Sequence, residues 1–186
     1  MTIGFALCGS FCTYSEIFPV MEELAKSYDV IPIFSFASAS IDSRFGKAKD
    51  HFMKAEAICG HPPIQTIEAA EPIGPKKMLD ALIIAPCTGN TLAKLAHSIA
   101  DTPVTMAAKS HLRNGRPVLV AVSTNDALAG AAENIGRLLA RKHYYFVPFG
   151  QDNAVSKPTS MVADFKKIPQ ALSAALEGTQ IQPILL

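Results

Sequence analysis

Short apolar runs alternate along this chain with longer segments of helical periodicity, and this alternation restricts the fold. Runs rich in β-branched, aromatic and small apolar residues predict buried strands at residues 2–8, 30–36, 64–67, 81–85, 117–122 and 144–148. Apolar residues at helical spacing predict helices near residues 15–24, 45–57, 92–99, 103–115, 126–142 and 164–176. Such an order is typical of a parallel sheet covered on both faces. No repeat or linker interrupts it, so residues 1–186 are predicted to form one domain.

Capping residues predict where several helices begin and end. Thr13 and Glu16 have the spacing of a capping box, although Pro19, which lacks an N–H donor, favours a start near residue 15 or a kink. Thr102 precedes a proline suited to a first helical position, and Gly115 is a suitable stop. In the helix at 126–142, the residues expected to face the core are Leu128, Ala132, Ile135 and Leu139.

The composition argues against several classes of function. Of the 186 residues, 49% are hydrophobic and 18% are charged, and the formal net charge is +1. A nucleic-acid or anionic-membrane surface requires a concentration of basic residues that this sequence lacks. So apolar a chain is predicted to bury surface against other subunits, and a homo-oligomer is expected.

The termini and cysteines indicate a cytoplasmic protein without a metal site. The opening residues, MTIGFALCGS, lack the basic and long apolar regions of a signal peptide, and no apolar run approaches the ~20 residues of a membrane span. The four cysteines form no CxxC pair and the histidines no HxxxH or HExxH motif. We expect reduced, mostly buried thiols and no bound metal.

Small polar residues follow four of the predicted strands. These loops contain Gly9-Ser10 with Thr13, Ser35 with Ser38, PCTGNT at residues 86–91, and Ser123-Thr124-Asn125. Ligands of open parallel sheets bind at the carboxyl ends of the strands, where hydroxyls and free N–H groups suit a phosphate. The alternative is ordinary helix capping. Four such loops on one edge favour a phosphorylated cofactor.

The absence of three common sequence motifs argues against further classes of enzyme. The chain has neither GxxxxGK[ST] nor GxGxxG, which disfavours a nucleotide triphosphatase and a standard dinucleotide enzyme. It also lacks the GxSxG turn of many hydrolases.

The segment ALIIAPCTGNTLAKLAHSIAD resembles the "PASANT" region of the homo-oligomeric flavin-containing cysteine decarboxylases, a family that includes flavin prenyltransferases. Its Pro-x-[ST]-x-Asn-Thr pattern is matched by Pro86, Thr88, Asn90 and Thr91. Cys87 and Gly89 stand where alanines are usual. The Gly9-Ser10 turn resembles the family's first flavin-phosphate loop, and AVSTNDAL resembles its Pro-Ala-Met-Asn-x-x-Met segment, with Asn125 in the asparagine position.

The resemblance implies a three-layer α/β sandwich with a mainly parallel, flavodoxin-like (Rossmann-like) sheet that binds FMN. It places the phosphate loop and its neighbours at Gly9, Ser10, Pro86, Thr88, Asn90 and Thr91. The ribityl and ring path would be lined by Ser35, Ser38, Ser123 and Asn125. Family members assemble as trimers or multiples of trimers, so the same is expected here.

One branch of the family is similar along the whole chain, through GFALCGSFCTY, APCTGNTLAKLA and VPFGQDNAVSKPTSMVAD. Its members are B subunits that act with an A subunit of nicotinamide-binding fold. The pair oxidises dihydrodipicolinate to dipicolinate in sporulating cells. The resemblance therefore implies an oxidoreductase subunit with FMN on this chain and NAD(P) on the partner.

Two departures separate the chain from the decarboxylases. Their catalytic histidine has no counterpart in a matching motif, although His51 and His61 lie in the general region. Their flap cysteine has none either, since residues 149–162 contain no cysteine. Two alternatives to the two-subunit oxidoreductase stay open. One is a non-catalytic partner subunit with a vestigial flavin pocket. The other is a free-standing FMN-dependent decarboxylase or prenyltransferase.

No residue of the sequence is assigned a catalytic role, but a substrate dicarboxylate would need cations. Lys157 is the natural counter-ion in the polar stretch 150–161, which is either a flap over the flavin or a solvated loop. Other candidate cations are Arg113, Arg116, Lys76 and Lys77.

Overall fold

A computed structural model describes residues 1–186 and contains seven strands and eight α-helices. The strands are β1 (Thr2–Leu7), β2 (Asp29–Phe34), β3 (Ala81–Cys87), β4 (Val118–Thr124), β5 (Tyr144–Phe146), β6 (Phe149–Asn153) and β7 (Lys157–Ala163). The helices are α1 (Tyr14–Ala25), α2 (Phe36–Ser40), α3 (Ala48–Cys59), α4 (Ile67–Ala70), α5 (Gly89–Ala96), α6 (Pro103–Leu112), α7 (Ala132–Leu139) and α8 (Ile168–Leu176). Single 3₁₀ turns cover Phe11–Thr13, Glu71–Ile73 and Phe165–Lys167.

The strands form one sheet in which β2, β1, β3, β4 and β5 are parallel. This order is that of flavodoxin-like folds, and right-handed crossovers place α1 on the opposite face from α5, α6 and α7. Helix α8 returns to the face of α1 and contacts it. The predicted three-layer α/β sandwich with a mainly parallel sheet is confirmed.

Strand β4 has two different neighbours on its outer side. Its first half pairs with β5, from Val118 to Val120, whereas Ser123 and Thr124 pair with β7 in the antiparallel direction. Strands β6 and β7 form a hairpin that extends the sheet beyond the carboxyl end of β4. The apolar pattern in the sequence did not predict this hairpin, because polar, exposed residues interrupt it from Gln151 to Lys157.

The central strands are buried on both faces. Every residue of β3 is buried, as are all but the first of β1 and all but the last of β4. Their sequences are continuous apolar runs because helices cover both faces of a parallel sheet. Pro32 lies in β2, the edge strand, where a missing N–H is tolerated.

Several local predictions need correction. The strand predicted at 64–67 is a single bridge between Ile64 and Ile33, after which Thr66 caps α4. The helix predicted at 126–142 is only α7, and Leu128, Ala132 and Leu139 are exposed rather than inward, whereas Ile135 is buried as predicted. Hydrogen-bonded turns occupy residues 126–131, where the Leu128 N–H donates to the carbonyl of Thr159 on the hairpin.

Of the predicted caps, only one forms as a capping box. Thr102 and Thr105 exchange side-chain and backbone hydrogen bonds at the start of α6, with Pro103 in the first turn. At α1 the Thr13 hydroxyl instead donates to the carbonyl of Ser10. None of the helices combines the length and apolar character that a membrane span requires.

Acidification is expected to destabilise the fold through His111. Its ring is fully buried in α6, where Nε2 lies 3.0 Å from the carbonyl of Pro117 and Nδ1 has no partner. Burial lowers the pKa of His111 from 6.5 to about 4. Between these values the unfolded chain binds a proton that the folded chain does not. The free energy of unfolding should therefore fall by up to about 3 kcal/mol as the pH drops through this interval.

Urea denaturation at a series of pH values would measure this loss. His111→Gln should remove that part of the pH dependence, whereas His97→Gln, at an exposed position, should leave it intact. Parallel pH profiles for the wild type and His111→Gln would contradict the assignment.

Candidate cofactor-binding site

The loops that follow β1, β3 and β4 converge on one cavity of about 760 Å³ at the carboxyl edge of the sheet. That volume lies in the range of small-molecule and cofactor sites. Of the residues predicted from the sequence, the cavity is lined by Gly9, Ser10, Thr88, Asn90, Ser123, Asn125 and Lys157. Residues far apart in sequence meet here because parallel strands end at a common edge.

A pair of hydroxyls joins the first and last of these loops. Ser10 Oγ and Ser123 Oγ lie 2.8 Å apart, although 113 positions separate them in the chain. Ser123 is nearly buried at the end of β4, whereas Ser10 is partly exposed at the end of β1. The pair offers donor and acceptor groups to a polar ligand along this side of the cavity.

The amino end of α5 forms the middle of the site. Thr88 caps the helix by accepting a hydrogen bond from the N–H of Thr91, and Asn90 in the first turn is exposed. The first N–H groups of a helix have no partners within it and favour an anion. Thr91 itself is buried, and its hydroxyl donates to Cys8 Sγ at 3.3 Å, so it supports the site from below.

A side chain at Gly89 would crowd two neighbouring side chains. A Cβ at this position would lie 2.7 Å from Asp126 Oδ1 and 2.8 Å from Thr124 Oγ1. These two atoms are held together, since the threonine hydroxyl donates to the carboxylate at 2.5 Å. The glycine, which departs from the alanine usual in the related decarboxylases, thus makes room for a carboxylate.

Three other predicted cofactor residues lie outside the cavity lining. Ser38 is fully buried, where its hydroxyl donates to the carbonyl of Leu7 and accepts from Tyr14. Ser35 Oγ accepts from the N–H of Ser38 and caps α2. Pro86 is buried within β3. These residues shape the loops around the cavity rather than its surface.

The cationic residues predicted to bind the substrate lie at opposite edges of the sheet. The stretch 150–161 is mostly the β6–β7 hairpin, which forms one wall of the cavity and carries Lys157 into it. Lys157 Nζ lies 2.6 Å from Asp152 Oδ2, and this hydrogen bond raises the pKa of Lys157. Arg113 instead follows α6, which leads to the amino end of β4, and lines a different cavity.

The other candidate cations share that opposite edge. Arg116 precedes β4 and forms an ion pair with Asp80 at 3.3 Å. Lys76 and Lys77 precede β3 and are exposed.

The structure adds lining residues that the sequence did not assign to the site. They are Phe11, Cys12, Glu16, Arg44, Phe45, Asp126 and Val162, whereas Asp152 lies in the polar stretch already considered. The loop before α3 brings Arg44 and Phe45 to the cavity, with the guanidinium 4.8 Å from the ring centroid. Sequence patterns do not specify how a loop folds back, and residue 45 was predicted to begin a helix.

The two histidines considered in the sequence lie in different places. His51 borders a smaller cavity of about 350 Å³ that shares Phe11, Cys12 and Phe45 with the main one. Its ring stacks on Phe18, Nε2 has no partner, and burial lowers its pKa. His61 is remote, 2.7 Å from Asp29 at the start of β2.

Neither cysteine beneath the site is set up as a nucleophile. Cys8 and Cys87 are buried, and burial raises the pKa of Cys8 to about 11 and that of Cys87 well above its usual value. A protonated, enclosed thiol is unreactive, so these residues pack the floor of the site.

Comparisons with known proteins agree with this architecture. The model of the family described as "Flavoprotein" matches residues 1–166. The B subunit of dipicolinate synthase from Bacillus subtilis (strain 168) is 46% identical over 185 residues, which are 99% of this chain and 92% of that protein. The crystal structure of the dipicolinate synthase B subunit from Bacillus halodurans matches with a TM-score of 0.91 and 45% identity, covering 100% of this chain and 95% of that one.

A more distant structure shares the fold. The crystal structure of the FMN-dependent cysteine decarboxylase SpaF matches with a TM-score of 0.69 and 22% identity, over 95% of each chain. The family resemblance predicted from the sequence is thus confirmed. This chain belongs to the Flavoprotein family, in which it is similar to the B subunits of dipicolinate synthases.

Proposed function

We propose that this chain is the FMN-binding subunit of a two-subunit oxidoreductase that converts dihydrodipicolinate to dipicolinate. NAD(P) would be bound by an A subunit, and the pair would act during sporulation in the cytoplasm. The similarity to dipicolinate synthase B subunits along nearly the whole chain supports this function. The assignment of FMN as the cofactor rests on one cavity, in which the Ser10–Ser123 hydroxyl pair meets the amino end of α5.

The residues of the cavity fit FMN. Hydroxyls and N–H groups at Gly9, Ser10, Thr88 and Asn90 would hold the phosphate, as expected at a helix amino terminus. Gly89 leaves room for the side chains of Asp126 and Thr124 where they line the cavity. Ser123 and Asn125 would contact the ribityl chain, and Phe11, Phe45 and Val162 offer apolar surface for a ring system.

The chain's own residues would bind and orient the substrate. When bound, FMN supplies an acceptor for the hydride that a dihydropyridine loses as it becomes aromatic. Lys157 would pair with a substrate carboxylate, and Asp152 restrains the ammonium group beforehand. The β6–β7 hairpin would limit the access of water on that side of the cavity.

An alanine at position 89 should weaken FMN binding at least tenfold. Its Cβ would displace Asp126 and Thr124, which line the cavity. Gly136→Ala is the matched control, because that helical glycine has no heavy atom within 4 Å of the added Cβ. Alanine favours helices over glycine at both sites, so a loss at position 89 alone would be steric.

The measurement is a visible absorption spectrum of the purified protein, followed by an FMN titration of each variant. Equal affinities for Gly89→Ala and Gly136→Ala would contradict the site. No binding by the wild type at saturating FMN would favour the non-catalytic partner subunit instead.

Replacing the candidate substrate cation should affect substrate binding more than turnover. In an assay with the A subunit, Lys157→Met should raise KM for dihydrodipicolinate roughly tenfold with little change in kcat, since a charged hydrogen bond is lost. Lys166→Met, at an exposed position outside the cavity, is the control. An unchanged KM for Lys157→Met would remove this residue from the substrate site.

A homo-oligomer, a trimer or a multiple of one, is also proposed. Four large apolar side chains on α2, α3 and the loop between them are between 44% and 50% exposed: Phe36, Ile41, Phe45 and Met53. Burial of such a group against another copy would be favourable. Light scattering at micromolar concentration should give an oligomeric mass, and a monomeric mass would contradict this part of the proposal.

A further inference from the structure

Arg113 lies in a second cavity, of about 420 Å³, at the amino edge of the sheet. The end of α5, one face of α6 and the segment that leads into β5 form its walls. It shares no residue with the cavity proposed for FMN. A substrate role beside FMN therefore does not explain why Arg113 lies in this second cavity.

The positive charge of this second cavity is not compensated. Lys109 and Arg113 are four residues apart at the end of α6, and both are exposed. Like charges at this spacing repel one another. No carboxylate oxygen lies within 4.0 Å of the charged nitrogens of either residue or of Arg141.

The carboxylate that lies next to the lining in sequence is engaged elsewhere. Asp101 follows the lining residue Ala100, but its Oδ1 lies 2.7 Å from Lys94 Nζ. An anion from outside the chain would thus meet little competition.

Arg141 fixes one side of the cavity. Its guanidinium donates to the carbonyls of Leu95 and Ala96, at 3.0 and 2.6 Å, and to Ser98 Oγ at 3.3 Å. These bonds hold the cation at the carboxyl end of α5, which attracts positive charge. They use three of the five N–H donors of the group.

The remaining walls are largely apolar. Leu95 and Leu112 contribute aliphatic surface, Ile99 is 47% exposed, and the ring of Tyr144 borders the cavity from β5. A ligand that suits both the uncompensated cations and the apolar walls has a negatively charged group on an apolar skeleton. An inorganic anion would pair with the cations but would leave the apolar walls without a contact.

We propose that this cavity binds a small aromatic carboxylate, whose charge is met by Lys109 and Arg113 and whose ring lies against Leu95, Ile99 and Leu112. The site is separate from the proposed FMN site. Helix α5 connects the two, since its first turn borders the main cavity and its last turn borders this one.

Isothermal titration of the full-length protein with isophthalate, in the presence and absence of saturating FMN, tests the proposal. Isophthalate should bind in both conditions, its affinity should fall as salt is added, and Lys157→Met in the main cavity should leave this binding unchanged. The double variant Lys109→Gln/Arg113→Gln should bind at least tenfold more weakly. Lys142→Gln is the control, because this exposed lysine follows Arg141 but does not line the cavity.

Three results would overturn the proposal. They are no binding of isophthalate to the wild type, equal affinity for inorganic phosphate, and displacement of isophthalate by FMN. Thermal unfolding of the double variant would verify that it is folded. The proposal does not depend on flavin chemistry, so failure of FMN binding would leave this test interpretable.

Discussion

Burial of β1, β3 and β4 on both faces is the constraint on which the rest of this structure depends. Helices cover these strands above and below, so their side chains are almost entirely apolar. Polar groups are excluded from the middle of the sheet, because a buried polar group without a partner is costly. Binding chemistry is therefore confined to the two edges, where strands become loops. The cavity proposed for FMN and the cavity that contains Arg113 lie at those edges.

The two neighbours of β4 determine what the carboxyl edge can do. Strand β5 ends after three residues, and β7 takes over as the partner of Ser123 and Thr124. That exchange turns the hairpin toward the loops after β1 and β3 and adds a wall to the cavity. Lys157 and Asp152 reach the site only through this antiparallel addition, although they are distant from the other lining residues in sequence.

The elements predicted from the sequence are those with strong apolar patterns. Strand β3 was evident from its apolar run, and the parallel order predicted that Ser10, Asn90 and Ser123 would meet. The hairpin could not be predicted in the same way, because exposed polar residues at its tip interrupt any apolar pattern and β7 is a strand through its pairing with β4 and β6. For Ser38, no pattern indicated that its hydroxyl would be used by Leu7 and Tyr14. Arg113 was predictable in retrospect, since a residue between a helix and the next parallel strand lies at the amino edge.

The contact between Gly89 and Asp126 links two positions that lie on different loops. An alanine methyl at 89 and the present carboxylate at 126 would occupy the same space. The hydroxyl of Thr124 holds that carboxylate in place, so it cannot easily swing away. Which residues are tolerated at position 89 therefore depends on the residue at position 126, and the reverse also holds. A family member with alanine at the position of Gly89 would require a smaller or differently oriented residue at the position of Asp126, and the order in which two such changes accumulate would be restricted.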